Sequence, residues 1–585
     1  MRNPEIADAF DELADRLALT DLKPYRYMAY RKASKIFRQL ADSVALLSAE
    51  GRLLQIEGIG PAIDDKVRDL LATGTFPALE DARRAVPDTL LALTRLPGVG
   101  PATARAAFAE LDGESFEGLL ARAAAGQLEV GGAFPKKLVT GLVAEAERRA
   151  AGGGDEKPGA FSGVPLDATG RPLPGPWFRR DQAATLHQQA IELLATTLDA
   201  VRPSGDYVRG LELLGGITLL GEAAEPAAAL AAAADTLGQR GWEVEPSDAS
   251  HTPDELADID PARAAWRQVV SPAGIPLMLC IAAPEHAPTI EHRIIGPAAW
   301  VQHEPEPQEH SVPWELRDAV LSGRIAATEV PADLVTAADL RGELHAHSNW
   351  SDGKATILAM ARGARARGDD YFCVTDHSAP YAMVGGLTPE RVAAQAEEVA
   401  AANEQLARDV HEHGDRPFRV LQGIELEILA DGTLGLPDPV LAKLDWVIAS
   451  IHVQQRQDAA SILARMERVL DNPLVDAIGH PTSRRLLIRD RTALDVPTLI
   501  AMAAERDVVL EINANPDRLD LDSEQAALAL AAGVRLTVNT DAHRVSTLSL
   551  RDHGVAVARR AGARRVDVVN CLDADTLLAG RRRHV

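Results

Sequence analysis

Cysteine is scarce: the chain has three, Cys280, Cys373 and Cys571, with no shared spacing. That excludes a disulfide-stapled fold and a thiolate metal site, and it fits a reducing cytosol. Long hydrophobic runs are also missing, since no stretch reaches the roughly 18–20 uncharged apolar residues that span a bilayer. The N-terminal MRNPEIADAFDELADRL is acidic and amphipathic and lacks the apolar core of a signal peptide. The expected location is therefore cytoplasmic, with no membrane partner. Aromatic residues make up only 4% of the chain, while Ala, Leu and Arg abound, which points to helix-rich or α/β domains. An excess of positive charge is absent as well, the formal net charge being -24. This argues against a surface coated for nucleic acid. It leaves room for local DNA contacts, and it suits a chain that holds cations with carboxylates.

At 585 residues the chain is too long for one core, so three or four domains are expected. Residues 1 to about 150 read as short helices separated by Gly-containing turns. Two segments there repeat a pattern, IEGIGPAIDDKV (Ile56 to Val67) and LPGVGPATARAAF (Leu96 to Phe108), with a weaker third at LEVGGAFPKKL. The Gly- and Pro-rich stretch RAAGGGDEKPGAFSGVPLDATGRPLPGP reads as a linker. Residues from about 180 to 325 mix helix and strand signals. After EVPADLVTAADL a regular alternation of strand and helix begins.

Seven short apolar strand candidates follow in order, beginning GELHAHS, DYFCVTDHS, RVLQGIELEIL and DWVIASIHV, then DAIGHPTS, VVLEINANP and RLTVNTDAH. Strand–helix alternation on this scale predicts parallel strands closed into a barrel. His345 and His347 close the first strand, with Asp352 just beyond. His377, Glu425, His452 and His480 lie late on the next four, and Asp541 and His543 end the seventh. In a parallel barrel those ends form one face. Singly, each histidine reads as a hydrogen-bonded core or loop residue. Six imidazoles and three carboxylates at one rim instead make a ligand set for Zn²⁺, Mn²⁺ or Fe²⁺, enough for up to three ions. The His-x-His pair fits, because residues two apart on a strand share a side.

The segment from about 340 to 585 resembles the PHP (polymerase and histidinol phosphatase) family through HAHSNWSDG, TDHS, GIELEIL, IASIH, IGHPTSR and NTDAH. The resemblance implies three divalent ions and no organic cofactor. One ion takes His345, His347, Glu425 and Asp541. A second shares Glu425 and adds His452 and His480, and the third uses Asp352, His377 and His543. It also implies hydrolysis of a phosphate ester, with Glu425, Asp541 and His377 at the reacting atoms. Arg484 and Arg518 are candidates for substrate phosphate, and Asp376 for orienting His377.

The two Gly-x-Gly segments resemble helix-hairpin-helix motifs, in which small glycines let helix N-terminal N–H groups approach a DNA phosphate. The candidate DNA-binding residues are Gly58, Gly60, Lys66, Gly98, Gly100 and Arg105. Upstream, Lys23, Arg26, Arg31, Lys32, Lys35 and Arg38 interleave with Tyr25, Tyr27 and Tyr30, which gives phosphate contacts and stacking surfaces. In order, the pieces resemble the bacterial X-family DNA polymerases with a C-terminal PHP domain. That implies an all-α helix-hairpin-helix lyase-like domain (1–85), a fingers-like helix-hairpin-helix domain (86–150), an α+β palm/thumb-like domain (151–330) and a PHP (β/α)7-type barrel (335–585). Lys66 falls where related lyase domains carry a Schiff-base lysine.

The family's palm needs a Gly-Ser motif and three metal-binding aspartates. The corresponding stretch is SGDYVRGLELLGGITLLGE, where Gly216 and Thr218 stand in the first two aspartate places and Met278 in the third. None of these can hold a divalent ion, so the palm is expected to be a retained fold without catalysis. The favoured reading is a metal-dependent phosphoesterase, a 3′–5′ exonuclease on gapped, nicked or 3′-ended DNA in repair. Alternatives are a template-directed polymerase, tested by primer extension, and a non-catalytic repair scaffold, tested by metal analysis. A small-molecule phosphatase is a further alternative, tested by comparing small esters with oligonucleotides.

Overall fold

A computed structural model describes residues 1–20, 24–40, 42–96, 99–150, 175–244, 256, 259–304, 306–308, 312–379, 384–414 and 416–582. Most of the expected linker, and Gly98 of the second Gly-x-Gly segment, lie outside the described residues.

The first 150 residues form short helices around two apolar clusters. Helices Asn3–Leu19, Pro24–Gln39 and Pro61–Thr73 bury Phe10, Leu13, Phe37 and Val67 together. Helices Asp88–Arg95, Pro101–Ala109 and Phe116–Ala124 bury Leu93, Ala104 and Leu119 in the second. Pro61 and Pro101 open their helices after Gly60 and Gly100, where proline's fixed φ and missing N–H are no handicap. Gly74, at φ +77°, ends the first of them in the left-handed conformation that glycine adopts freely. The buried Arg16 ties the clusters by donating to the Val86 carbonyl and to Asp88.

The middle of the chain builds a mixed sheet from β1 (Ala200–Ser204), β2 (Ile217–Glu222), β3 (Glu243–Val244), β4 (Ala264–Val270) and β5 (Pro276–Ala282). The spatial order is β1-β2-β5-β4-β3, with β2 and β5 parallel and the other pairs antiparallel. Helices Arg180–Leu194 and Pro226–Gly238 supply Leu186, Leu194 and Leu237 to its apolar cluster. This is the α+β arrangement expected from the sequence.

The barrel strands come in the predicted order: β6 (Gly342–Glu343), β7 (Tyr371–Val374), β8 (Arg419–Glu427), β9 (Trp446–Ser450), β10 (Ala477–Ile478), β11 (Val509–Asn513) and β12 (Leu536–Asn539). Neighbours in sequence are neighbours in the sheet, and every pair is parallel. A parallel bridge from Ala346 to Ala542 brings the first strand against the last, and His347 N donates to Ala542 O at 2.9 Å. The sheet is a nearly closed barrel. Strands β7, β9, β11 and β12 are buried along their whole length, which explains their near-continuous apolar sequences.

The mixed-sheet domain is seated on the barrel. Leu213 belongs to the barrel's apolar cluster and Trp177 packs against it. Arg560 donates to the Arg209 carbonyl and pairs with Asp318 across the same junction. Among the described residues, no helix is long and apolar enough to cross a membrane.

Candidate metal centre

The carboxyl ends of the barrel strands deliver eight of the nine predicted donors to one point, and the loop after His347 delivers Asp352. Glu425, near the end of β8, is central. Its Oε2 lies 2.8 Å from His377 Nδ1, 3.4 Å from His345 Nε2 and 3.5 Å from His347 Nε2. Its Oε1 lies 2.9 Å from His480 Nε2 and 3.2 Å from His452 Nε2. Five imidazoles thus share one carboxylate. Asp541 lies 3.0 Å from His347 and 3.7 Å from His543, and Asp352 lies 3.2 Å from His543 and 3.7 Å from His377.

The backbone bends to achieve this. His480 and Asp541 have left-handed φ values of +27° and +53°, a strained conformation that persists only where surrounding structure enforces it.

The donor set fits divalent cations. His345 Nε2 and Glu425 Oε2 are buried without a hydrogen-bond partner, as are His347 Nδ1 and His480 Nδ1. Unpaired buried polar atoms are costly, and a cation would satisfy those aimed into the cluster. Four sets of ligand atoms lie within 4.8 Å of one another: His347–Asp352–His377–His543, His345–Glu425–His480, His345–His347–Asp541 and His377–Glu425–His452. These sets hold all nine predicted residues, although they divide them differently from the three-ion assignment drawn from the family.

The electrostatics agree. Burial opposes charge on His452, but Glu425 and Glu427 outweigh it and lift the ring to about 9. His543 is likewise lifted to about 9, against burial, by Asp352 and Asp541. Burial, with His543 and His377 alongside, drives His347 down to about 3. Despite burial, the surrounding histidines hold Glu425 and Asp541 well below the usual carboxylate range. The cluster is arranged around positive charge.

Three buried carboxylates that sequence reasoning missed support the donors. Glu511 Oε1 accepts from His345 Nδ1 at 2.8 Å, and its Oε2 accepts from His480 N at 2.7 Å. Glu427 Oε2 accepts from His452 Nδ1 at 2.8 Å. Glu343 accepts from the backbone of His345 and from Thr540. Such partners fix the ring orientation and leave Nε2 for the ion. For Glu511 the available signal was a lone glutamate inside a buried apolar strand, VVLEIN, and for Glu343 and Glu427 it was a position two residues from His345 and Glu425.

Two expectations need correction. Arg484 was a candidate for substrate phosphate, yet its guanidinium is 1% exposed and committed within the protein. It donates to the carbonyls of Arg518 and Leu519 and to Glu212. Asp376 was expected to orient His377, yet it accepts hydrogen bonds from Ser348, Ser351 and Gln395. These bonds anchor the loop that carries Asp352. Arg518 does face the cluster, with Nε 3.6 Å from Asp541 Oδ2.

At the other end of the chain, Lys66 Nζ sits 5.7 Å over the Tyr30 ring and donates to the Ala62 carbonyl. Gly58 has φ +93°, and a Cβ there would come within 3.0 Å of Ile36 and Lys32. Gly60 and Gly100 cap helix N-termini, and Arg105 is exposed on the second helix. Of the upstream basic residues, Arg31 pairs with Asp15 and Arg38 with Asp8 and Asp11.

Residues 1–76 match a family model described as a helix-hairpin-helix domain, and residues 50–112 one described as a SAM-like helix-hairpin-helix tandem. The chain is 39% identical over 260 residues to the DNA polymerase/3′-5′ exonuclease PolX of Bacillus subtilis (strain 168). That match covers 44% of this chain and 44% of the relative, so the similarity spans less than half of either protein. A probable phosphatase of Aliivibrio fischeri (strain MJ11) is 30% identical over 217 residues, covering 34% of this chain and 77% of the relative. Among solved structures, histidinol phosphate phosphatase from Lactococcus lactis, complexed with zinc, L-histidinol and phosphate, is similar at 18% identity. It covers 38% of this chain and 94% of that one, with a TM-score of 0.30. The chain is thus similar to bacterial PolX over less than half of its length, and through the segment it shares with 77% of the Aliivibrio fischeri protein it belongs with the probable phosphatases.

Proposed function

We propose that the protein is a DNA-processing phosphoesterase that removes nucleotides from 3′ ends, with all its catalysis in the barrel. The observation that carries this reading is Glu425, one buried carboxylate within 3.5 Å of five imidazoles. Divalent ions bound there would supply Lewis-acid polarisation of the phosphoryl group and a nucleophile from water near neutral pH. His345, His347, Glu425 and Asp541 would hold one ion, Glu425, His452 and His480 a second, and Asp352, His377 and His543 a third.

The chain's own groups do the rest. Glu511 and Glu427 hold the His345 and His452 rings with Nε2 inward. Arg518, with Nε 3.6 Å from Asp541, would offer a fixed cation to a non-bridging phosphate oxygen. Gly60 and Gly100, at helix N-termini, would steady the DNA through its backbone without reading its sequence.

The mixed-sheet domain serves as a palm without catalysis in this reading. Thr218 pairs with Met278 across the parallel strands β2 and β5, so the second and third expected aspartate places face each other and neither carries charge. A Cβ on Gly216 would lie 2.8 Å from the Pro276 carbonyl oxygen, which leaves no space for the first aspartate. Asp206, not serine, follows Gly205 in the turn that corresponds to the triphosphate cradle.

The test is degradation of a 3′-labelled primer with Mn²⁺, alongside primer extension with all four dNTPs. Degradation abolished in the double variant His345→Ala/His347→Ala, with no extension by the wild type, is the expected result. Full degradation by the double variant would refute the proposal.

A further inference from the structure

The palm-like domain meets the loop behind the ligand His480 through Glu212. Glu212 lies between the Gly205 turn and β2, and its Oε2 accepts from Arg484 Nη2 at 2.7 Å. Arg484 belongs to the barrel, in the tight turn that follows the ligand His480. That turn includes left-handed Ser483 at φ +53°, whose N–H donates to the His480 carbonyl. The Arg484 guanidinium also donates to the carbonyls of Arg518 and Leu519. One buried cation therefore stitches together two rim loops, the first carrying His480 and the second carrying Arg518.

That cation needs a counter-charge to stay where it is. Asp522 is 3.5 Å from Nη1 and is shared with Arg491. Glu212 is closer, is only 15% exposed and comes from the other domain. The next residue, Leu213, is embedded in the barrel's apolar cluster, so the segment bearing Glu212 is fixed to the barrel. A buried guanidinium that loses its nearest carboxylate must rearrange or draw in water, because an uncompensated buried charge is strongly unfavourable. Either response displaces the loops it holds.

We propose that Glu212 is a positioning residue of the barrel's metal centre, acting through Arg484 to hold the His480 and Arg518 loops. The inference rests on the metal-centre reading and adds a reason for this chain to keep a palm-like domain that has lost its aspartates. The counter-charge on Arg484 is the physical content, so Glu212→Asp, which keeps the carboxylate, should retain more of the function than Glu212→Ala.

The test follows release of Mn²⁺ from the loaded full-length protein to a chromogenic chelator, together with kcat and KM on a 3′-labelled oligonucleotide. Removing a carboxylate that supports a metal site typically costs about 10- to 100-fold in affinity or activity. Glu212→Ala is expected to release metal faster and lose kcat on that scale, with KM changed less than twofold. Glu212→Asp should recover part of the loss. Asp318→Ala, which breaks a different ion pair across the same junction, serves as the control and should release metal at the wild-type rate. If Glu212→Ala fails to fold, the same-shaped Glu212→Gln decides: faster release than wild type supports the proposal. Wild-type release and kcat in Glu212→Gln or Glu212→Ala, or equally fast release in Asp318→Ala, would overturn it. Failure of the wild type to take up Mn²⁺ at all would instead refute the metal-centre reading beneath it.

Discussion

Glu511 Oε1 lies 2.8 Å from His345 Nδ1 while its second oxygen takes the backbone N–H of His480, so one buried carboxylate orients two ligands from different strands. Glu511→Ala should lower divalent-metal affinity by about 10- to 100-fold. Glu511→Gln, which can still accept from the imidazole, should lose less. Competition with a chelator of known affinity measures both. Equal affinity in wild type and Glu511→Ala would mean the contact does not orient the ligands.

Metal loading should release protons. His452 and His543 are held protonated up to about 9 by neighbouring carboxylates, and a ring must lose its proton before it binds an ion. At neutral pH the ion therefore displaces protons, and affinity falls on acidification, by about tenfold per pH unit for each proton displaced. Titration of Mn²⁺ into weakly buffered protein at pH 7 should acidify the solution. A pH-independent affinity between pH 6 and 8 would contradict this arrangement.

Acid should destabilise the protein through buried neutral histidines remote from the metal centre. Burial lowers His187 to about 4, and burial with Arg180 nearby does the same for His553. Below about 6.5 the unfolded chain takes up a proton that the folded His187 refuses until near 4. Stability is thus full above the unfolded value and falls as pH drops through that window. His187→Gln, which can still donate to the Thr218 carbonyl, should flatten the stability–pH slope there in urea titrations. An unchanged slope would exclude His187 as a source of acid sensitivity.

Placing acids at Gly216, Thr218 and Met278 of the mixed sheet should not confer polymerisation. Because a Cβ on Gly216 meets the Pro276 carbonyl, Gly216→Asp should cost about 1–3 kcal/mol of stability, the range of overpacking substitutions. The triple variant with Thr218→Asp and Met278→Asp should still fail at primer extension with four dNTPs. Extension by that variant would show that only the carboxylates had been lost.

The helical region offers an independent test. Gly58 is left-handed at φ +93° and lies against Lys32 and Ile36, so Gly58→Ala strains the hairpin by about 1–2 kcal/mol. Affinity should drop alike for DNA of unrelated sequences, as backbone contacts require. Unchanged affinity by fluorescence anisotropy would remove this hairpin from the DNA interface.

The nine donors were legible because strand period and barrel topology together say where a strand's last residues go. His345 and His347 share a side, and every other donor lies late in its strand or in the loop beyond it. The helical hairpins were legible from Gly-Pro punctuation at Gly60–Pro61 and Gly100–Pro101. The orientation of a long side chain was not. Arg484 follows a ligand in sequence, which suggested substrate contact, but its partner Glu212 is 272 residues away and only the packing of two domains reveals it. Glu511 was missed because a single acid in an apolar strand carries no spacing signal of its own, whereas Glu343 and Glu427 do carry one, each standing two residues from a ligand on its strand.

The most direct measurement is the metal content of purified, Mn²⁺-loaded protein after gel filtration, for wild type and Glu425→Ala. Wild type should retain up to three equivalents, and Glu425→Ala should lose those that share its carboxylate. Wild-type protein that emerges without stoichiometric metal, or a Glu425→Ala variant that retains as much as wild type, would contradict the account.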